Sequence, residues 1–346
     1  MMSSEIISEA KIRELKKLIS GANKIVLTCH VSPDGDALGS SLALSLILKT
    51  LEKNVSVITP DQYPKSLSFL PGAETIIPYS CHPEKVKKIF LDADLIICLD
   101  FNALSRIDRQ IEAFKMSTAP KVLIDHHLYP ELFAQLTFSD ATISSTCLLL
   151  YKIICSLDYC NYINKDVATC IYTGMMTDTG NFTYNSNDPC IYTTISDLLG
   201  KGLPKDEIYK QVYNTNSESR LRLNGYVLNK KMQIHSTYNL GIISLTKEEK
   251  EEYNYVKGDT EGLVNIPLSI PGIYYSVFFR EDIDADNNKY IKVSMRSIGE
   301  YQVNIICERY YNGGGHKNAS GGEYYGSIES AIELLLSHFK SNENFK

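Results

Sequence analysis

Histidines and aspartates recur in this chain at spacings that suit a pair of divalent metal ions. His30, Asp34 and Asp36 lie within HVSPDGDALGS, Asp100 ends ICLD, His126 and His127 close LIDHH, and Asp178 sits in MMTDTGNF. Imidazole and carboxylate donors together suit borderline divalent ions such as Mn²⁺. Two carboxylates two residues apart, Asp34 and Asp36, can address two different ions from one loop. Asp100 would then occupy the place of a bridging carboxylate, and Asp178 would complete the second ion. Adjacent histidines leaving a strand point different ways, so one can ligate metal while the other faces a substrate. Ions held this way activate a water for attack on a phosphate ester.

Each signal also has a plainer reading. PDGD is a common turn with acidic caps for the helix after it. A lone strand-end Asp100 is usually a solvated loop residue, and TDTG can simply end a helix. Further along, NGGGHKNASGG brings Gly313, Gly314, Gly315 and His316, where the backbone can approach a phosphate closely. Glycine runs are also often no more than loops. Arg106, near Asp100, and Arg296, at a strand end, can fork a phosphate, although each alone reads as a surface arginine. Order and placement outweigh the plain readings: several elements in succession, each at a strand or helix end, carry the same Asp/His chemistry.

The elements that must position these residues are legible. IVLTC (25–29), LIICL (95–99) and KVLI (121–124) are short apolar runs that read as buried parallel strands, each leading directly into a ligand. In an open α/β sheet the carboxyl ends of the strands gather on one edge, where ligands bind. Strand-like and helical runs alternate to about residue 200, which predicts a doubly wound, mainly parallel α/β sheet. ALGSSLALSLILKTLEK is a helix and VSVIT a strand. SSTCLLLYKIICSL is a helix capped by Ser144 or Ser145, and DVATCIYTGMMTDTG is a buried helix carrying Asp178 at its end. LGIISL, IYYSVFFR and KYIKVSMRS, with helices at EEKEEY, QVNIICERYY and SIESAIELLLSHF, predict a smaller mixed-sheet α/β domain. DADNN near 284–288 reads as a turn. The expected division is a catalytic domain at 1–202, a helical connector at 203–228 and a second domain at 229–346.

Composition narrows the classes. A length of 346 residues favours two cores over one. No apolar run approaches the ~18 residues that would cross a bilayer. The N-terminal stretch lacks the features of a secretory signal, so a cytoplasmic protein without a membrane partner is expected. Ile7, Leu15, Leu18 and Ile19 there suggest a helix packed by one face. Nine cysteines without a C-x-x-C pair argue against a disulfide framework and against a cysteine zinc site. They read mostly as small buried hydrophobes in a reducing compartment. A net charge of −6 speaks against a broad duplex-DNA surface, but not against a short oligonucleotide held by metals and a few arginines.

On these residues the chain resembles the DHH phosphoesterases, named for the triplet seen here as Asp125-His126-His127. HVSPDGDALGS, ICLD, LIDHH and MTDTGNF look like that family's successive motifs, and NGGGHKNASGG looks like the signature of its associated C-terminal domain. In layout the chain is most similar to the compact bacterial oligoribonuclease (nanoRNase) and 3′-phosphoadenosine-5′-phosphate (pAp) phosphatase group. The resemblance implies two Mn²⁺ ions, one on His30 and Asp34, the other on Asp36, His126 and Asp178, with Asp100 bridging. It implies that His127 faces the scissile phosphate and that Asp125 orients a ligand from behind. Arg106, Arg296 and residues 313–316 would hold the nucleotide. The implied substrates are short single-stranded RNA, linear dinucleotides and pAp, and a homodimer is compatible with them. A cyclic-dinucleotide phosphodiesterase and a pyrophosphatase or exopolyphosphatase are the alternatives.

Overall fold

A run such as LIICL has no polar face, so a strand built from it must be covered on both sides. The computed structural model of the chain describes residues 6–284 and 287–341, apart from the side chain of His316. The chain divides between Thr215 and Asn216 into two compact units.

The first unit opens with α1 (Glu9–Gly21), β1 (Lys24–Thr28), α2 (Gly35–Thr50), β2 (Asn54–Thr59), β3 (Ile77–Pro78) and α3 (Pro83–Leu91). It continues with β4 (Leu95–Leu99), α4 (Ile111–Met116), β5 (Lys121–Asp125) and β6 (Leu136–Ser139). Four helices follow: α5 (Thr146–Ser156), α6 (Lys165–Asp178), α7 (Pro189–Gly200) and α8 (Lys205–Tyr213). The strands form one sheet in the order β3-β2-β1-β4-β5-β6, with every neighbouring pair parallel. The chain leaves β1 toward one edge and returns to its other side with β4, so the carboxyl ends of β1 and β4 flank the switch point where ligands bind in such sheets.

Alternation along each strand feeds two cores. Ile25, Leu27, Ile97, Leu99, Val122 and Ile124 pack on the side that holds α1, α2, α5 and α6. Val26, Ile58, Ile96, Cys98 and Leu123 pack on the other, against Val86 and Phe90 of α3 and Phe114 of α4. Helix α2 is buried almost all round, as its sequence GDALGSSLALSLILKT requires. Its crossing with α6 is close enough to need glycine. A Cβ on Gly39 would lie 2.5 Å from the Cys170 carbonyl oxygen, and one on Gly174 would lie 2.8 Å from Asp36 Oδ1.

The second unit contains α9 (Glu218–Tyr226), β7 (Gln233–His235), β8 (Leu240–Leu245), α10 (Lys247–Glu252), β9 (Tyr275–Ile283) and β10 (Lys289–Ser297). It ends with α11 (Asn304–Tyr310), β11 (Gly314–His316), β12 (Ala319–Tyr324) and α12 (Ile328–Ser341). The sheet order is β11-β12-β10-β9-β8-β7, with β8 and β9 parallel and the other pairs antiparallel. Its core joins Val277, Phe279, Val293 and Met295 to Ile306 of α11 and to Leu335 and Phe339 of α12. The fold is therefore a doubly wound parallel α/β sheet followed by a smaller mixed one.

Some details differ from the sequence reading. Cys155 and Cys160 form a disulfide, with their Cα atoms 4.9 Å apart. Helix α5 ends at Ser156, and the chain reverses into a short 3₁₀ turn at Cys160–Tyr162, which brings the two thiols together across the helix end. A C-x4-C spacing carries no motif that announces this. Cys29, Cys98, Cys147, Cys170 and Cys307 are buried free thiols, as expected. Ser145, not Ser144, caps α5 by accepting the Leu148 N–H. Of the turn at 284–288, Ala285 and Asp286 lie outside the described residues. Among the described residues no helix is long and apolar enough to cross a membrane.

Candidate metal centre

His30 lies two residues beyond β1, with its ring almost fully buried. Its Nδ1 is 2.7 Å from the Val31 carbonyl oxygen, which can only accept, so Nδ1 carries the proton and donates. That leaves Nε2 facing Asp100 Oδ2 at 3.4 Å and Asp34 Oδ2 at 3.7 Å. The Val31 N–H donates to the Arg106 carbonyl at 2.7 Å, which ties this loop to the segment after β4. Asp34 divides its carboxylate between two tasks. Oδ1 accepts the N–H groups of Asp36 (3.0 Å) and Ala37 (3.1 Å) as the N-cap of α2, while Oδ2 faces His30.

Asp36, in the first turn of α2, is 1% exposed. Its Oδ2 accepts the Thr146 N–H at 2.6 Å and its Oδ1 the Cys147 N–H at 2.9 Å, both from the start of α5. Asp100 directly follows β4 and is 2% exposed. Its φ of 64° is left-handed, a conformation that costs a non-glycine residue ~1–3 kcal/mol and collects at functional sites. Asp100 N–H is held by the Ile124 carbonyl at 3.0 Å, so the pairing of β4 with β5 maintains it. The two carboxylate oxygens look opposite ways: Oδ2 toward His30 Nε2, and Oδ1 toward His126 Nε2 at 3.7 Å.

His126 and His127 leave β5 with their ring planes 63° apart. His126 Nδ1 donates to the Ile143 carbonyl at 3.2 Å, which again frees Nε2. That atom is 3.3 Å from Asp178 Oδ2, at the end of α6, and 4.0 Å from Asp36 Oδ2. His127 turns aside: its Nδ1 donates to Asp125 Oδ1 at 2.8 Å and its backbone N–H to Asp125 Oδ2 at 3.1 Å. Asp125 is fully buried. Three groups of potential ligands result, His30–Asp34–Asp100, Asp36–His126–Asp178 and Asp100–His126–His127; in the last, His127 Nδ1 is already bonded to Asp125. Within each group the donor atoms lie within 4.8 Å of one another.

Among the described residues no lysine or arginine forms an ion pair with any of the four carboxylates; their ion-pairing partners are histidines. The electrostatics record that imbalance. Burial, then the charges of Asp100, Asp178 and Asp34, push Asp36 well above the usual carboxylate range. Burial likewise lifts Asp178 to about 6. Asp100 is raised by burial too, but hydrogen bonding to His30 and the charges of His30, His126 and His127 outweigh that and hold it at about 2. For His30, burial acts downward, yet Asp100 and Asp34 carry it to about 10. His127 is raised chiefly by its bond to Asp125. Four clustered carboxylates whose ion-pairing partners are imidazoles, two of which turn Nε2 toward them, fit a pair of divalent cations by donor chemistry.

Arg106 is half-buried, and its charge is felt at His127. The remaining sequence-predicted residues belong to the second unit. Arg296 of β10 and His316 of β11 both pair with Ala319 of β12, from opposite sides, so they share one end of the sheet. Arg296 is partly buried and its Nη1 donates to the Met295 carbonyl at 2.9 Å; the side chain of His316 lies outside the described residues. The three glycines differ. A Cβ on Gly313 would lie 2.0 Å from the Gly321 carbonyl oxygen, and Gly315 has a φ of 142°, so both are demanded by the fold. A Cβ on Gly314 would meet only Glu308, at 3.7 Å. Sequence reasoning missed Thr146, Cys147 and Ile143, which hold the ligands through backbone groups or a hydroxyl; the SSTC at the helix start was the one available signal.

Comparison with known proteins shows the family. The model of the DHH family N-terminal domain matches residues 24–175, and that of the DHHA1 domain matches residues 232–342. The chain is 30% identical over 326 residues to the bifunctional oligoribonuclease and PAP phosphatase NrnA of Bacillus subtilis, covering 93% of this chain and 96% of that protein. It is 29% identical to the NrnA of Thermus thermophilus, covering 94% and 91%. The crystal structure of an exopolyphosphatase-related protein from Bacteroides fragilis is 49% identical over 96% of both chains, with a TM-score of 0.92. With a family model on each unit and relatives matched almost end to end, a chain that carries Asp125-His126-His127 where β5 ends belongs to the DHH family of phosphoesterases, hydrolases that act on phosphate esters.

Proposed function

We propose that this chain hydrolyses short oligoribonucleotides, linear dinucleotides and pAp at a centre of two divalent ions, with Mn²⁺ the ion its donors suit. The observation that carries the proposal is Asp100, whose two oxygens face two separate ligand groups. His30 and Asp34 would hold one ion, Asp36, His126 and Asp178 the other, and Asp100 both. When bound, the ions would supply an activated water and neutralise charge on the attacked phosphate. His127, held by Asp125, contacts that phosphate through the ring nitrogen that Asp125 leaves free. Arg106 adds positive charge beside it. Arg296, Gly314 and His316 grip the rest of the nucleotide, which assigns turnover to residues 1–202 and substrate choice to 229–346, with 203–228 as connector. Remote contacts of this kind raise turnover when they orient the reacting group.

The nucleotide specificity draws support from the activities for which the NrnA relatives are named, proteins that this chain matches over nearly their whole length. The name of the Bacteroides fragilis protein favours a second reading, an inorganic polyphosphate. A phosphate chain needs no nucleoside grip, the role the nucleotide reading gives to Arg296, Gly314 and His316. The deciding experiment is a panel of pApA, pAp, short RNA, a cyclic dinucleotide, pyrophosphate and polyphosphate, each with Mn²⁺, Mg²⁺ and Co²⁺. Turnover of pApA or pAp without pyrophosphate release is expected. Phosphate release from polyphosphate with pApA left intact would reverse the ranking.

A further inference from the structure

Asp36 and Asp100 come from different elements, yet both end on one short segment that lies outside every family motif named above. The first two backbone N–H groups of α5, from Thr146 and Cys147, donate to the two oxygens of Asp36 at 2.6 and 2.9 Å. The hydroxyl of Thr146 donates to Asp100 Oδ1 at 2.9 Å. Three residues earlier, the Ile143 carbonyl fixes the His126 ring. Thr146 and its two carboxylate partners are all buried, with exposures of 0%, 1% and 2%.

We propose that Thr146 is the positioning residue of the metal centre: its hydroxyl fixes the plane of the bridging carboxylate. The inference rests on the two-ion reading above. A carboxylate turns freely about its last bond, in a broad, two-fold well. A bridging one must nevertheless present one oxygen to each side. Oδ2 of Asp100 has His30 Nε2 beside it, but an ion on that nitrogen requires its lone pair, so His30 then has no proton to donate there. Thr146 remains as the side-chain donor to Asp100 whose proton is independent of the ions. It holds Oδ1, the oxygen that faces His126. The same residue donates its N–H to Asp36, so one backbone position sets the relation between a ligand of the second ion and the ligand shared by both. A threonine inside a helix has few χ1 choices, which keeps the hydroxyl where the backbone puts it. The start of α5 also favours negative charge.

Thr146→Ala and Thr146→Ser test this cleanly, because the two products differ only in the hydroxyl. Full-length chains stripped of metal would be titrated with Mn²⁺ by calorimetry, and their metal-free melting and circular dichroism compared. The wild type should take up two ions. The serine variant should match it within about threefold, and the alanine variant should bind ~10–100-fold more weakly, the usual range for a group that orients a metal ligand. Turnover should recover in the alanine variant as Mn²⁺ is raised, with KM for pApA little changed. If the alanine variant does not fold, Thr146→Val preserves the volume and reads the hydroxyl against the wild type. Equal Mn²⁺ affinity with and without the hydroxyl overturns the proposal. A wild-type chain that takes up no Mn²⁺ would instead overturn the two-ion reading beneath it.

Discussion

Raising the pH should loosen the metal-free centre more than the metal-loaded one. Asp100 and Asp34 outweigh the effect of burial on His30 and carry it from 6.5 to about 10. A group raised in the folded state contributes stability that is fully present below its unfolded value and is lost as pH climbs toward the folded one. Between those values the folded chain keeps one proton that the unfolded chain has released, so each pH unit removes ~1.4 kcal/mol. From pH 7 to 8.5 that amounts to ~2 kcal/mol, or ~4–8 °C in Tm for a unit of 150–250 residues. Asp178, raised by burial to about 6, acts with the same sign at lower pH, so stability already falls as pH rises toward 6. An ion on His30 Nε2 leaves no proton there to lose. Scanning fluorimetry of chelator-treated and Mn²⁺-saturated protein across this range should therefore show the first transition sliding down more steeply in the former than in the latter, where only the His127–Asp125 pair still titrates. His30→Asn should flatten the slope of the metal-free form. His127, raised by Asp125, leaves a residual slope of the same sign, so a metal-free melting temperature that ignores pH in this window, or a slope in His30→Asn as steep as the wild type's, would refute the reasoning.

Asp100→Asn keeps a residue that tolerates the left-handed backbone and an oxygen for Thr146, so the fold should persist while Mn²⁺ content and turnover fall by more than ~100-fold. Mass spectrometry of bound metal beside the rate decides it, and two retained ions at near-native rate would sink the bridging role. His126→Ala should weaken metal binding, whereas His127→Ala should lower kcat with metal occupancy preserved; equal metal loss in both would show the roles to be wrongly divided. Gly313→Ala must displace the Gly321 carbonyl and should destabilise the second unit by ~1–3 kcal/mol or more. Gly314→Ala meets only Glu308 and should leave Tm unchanged while raising KM for pApA, and a native KM would remove Gly314 from the binding surface.

Much of the site was legible because buried parallel strands leave an unbroken apolar run in the sequence, and a polar residue at the end of such a run has one edge to go to. LIICL ending at Asp100 and KVLI ending at Asp125 give away both the strand and its open end. Helix α6 was similarly plain, since a buried helix ending in an aspartate has few other uses for it. Backbone donors were not legible. The amides that hold Asp36 belong to Thr146 and Cys147 by position, not by side-chain type, and any residue there supplies them. At Asp34 the plain reading and the sharp one fall on one carboxylate: Oδ1 caps α2, while Oδ2 is left facing His30. The Cys155–Cys160 bond depends on how the chain turns after α5, and spacing alone does not encode that.

Where α2 crosses α6, main chain lies against main chain at Gly39 and Gly174, with Asp36 and Cys147 filling what little space is left. A spacing set in this way has no rotamer to adjust. Elsewhere in the core, leucine can give way to methionine or isoleucine and the neighbours absorb the change. At this crossing an added methyl group would act as a shim under one ligand and not the other. The opposite face of the sheet, packed by Val86, Phe90 and Phe114, lies on the far side of the strands from that contact. Sequence drift should therefore be lopsided in this fold, free under one face of the sheet and nearly frozen at two glycines under the other.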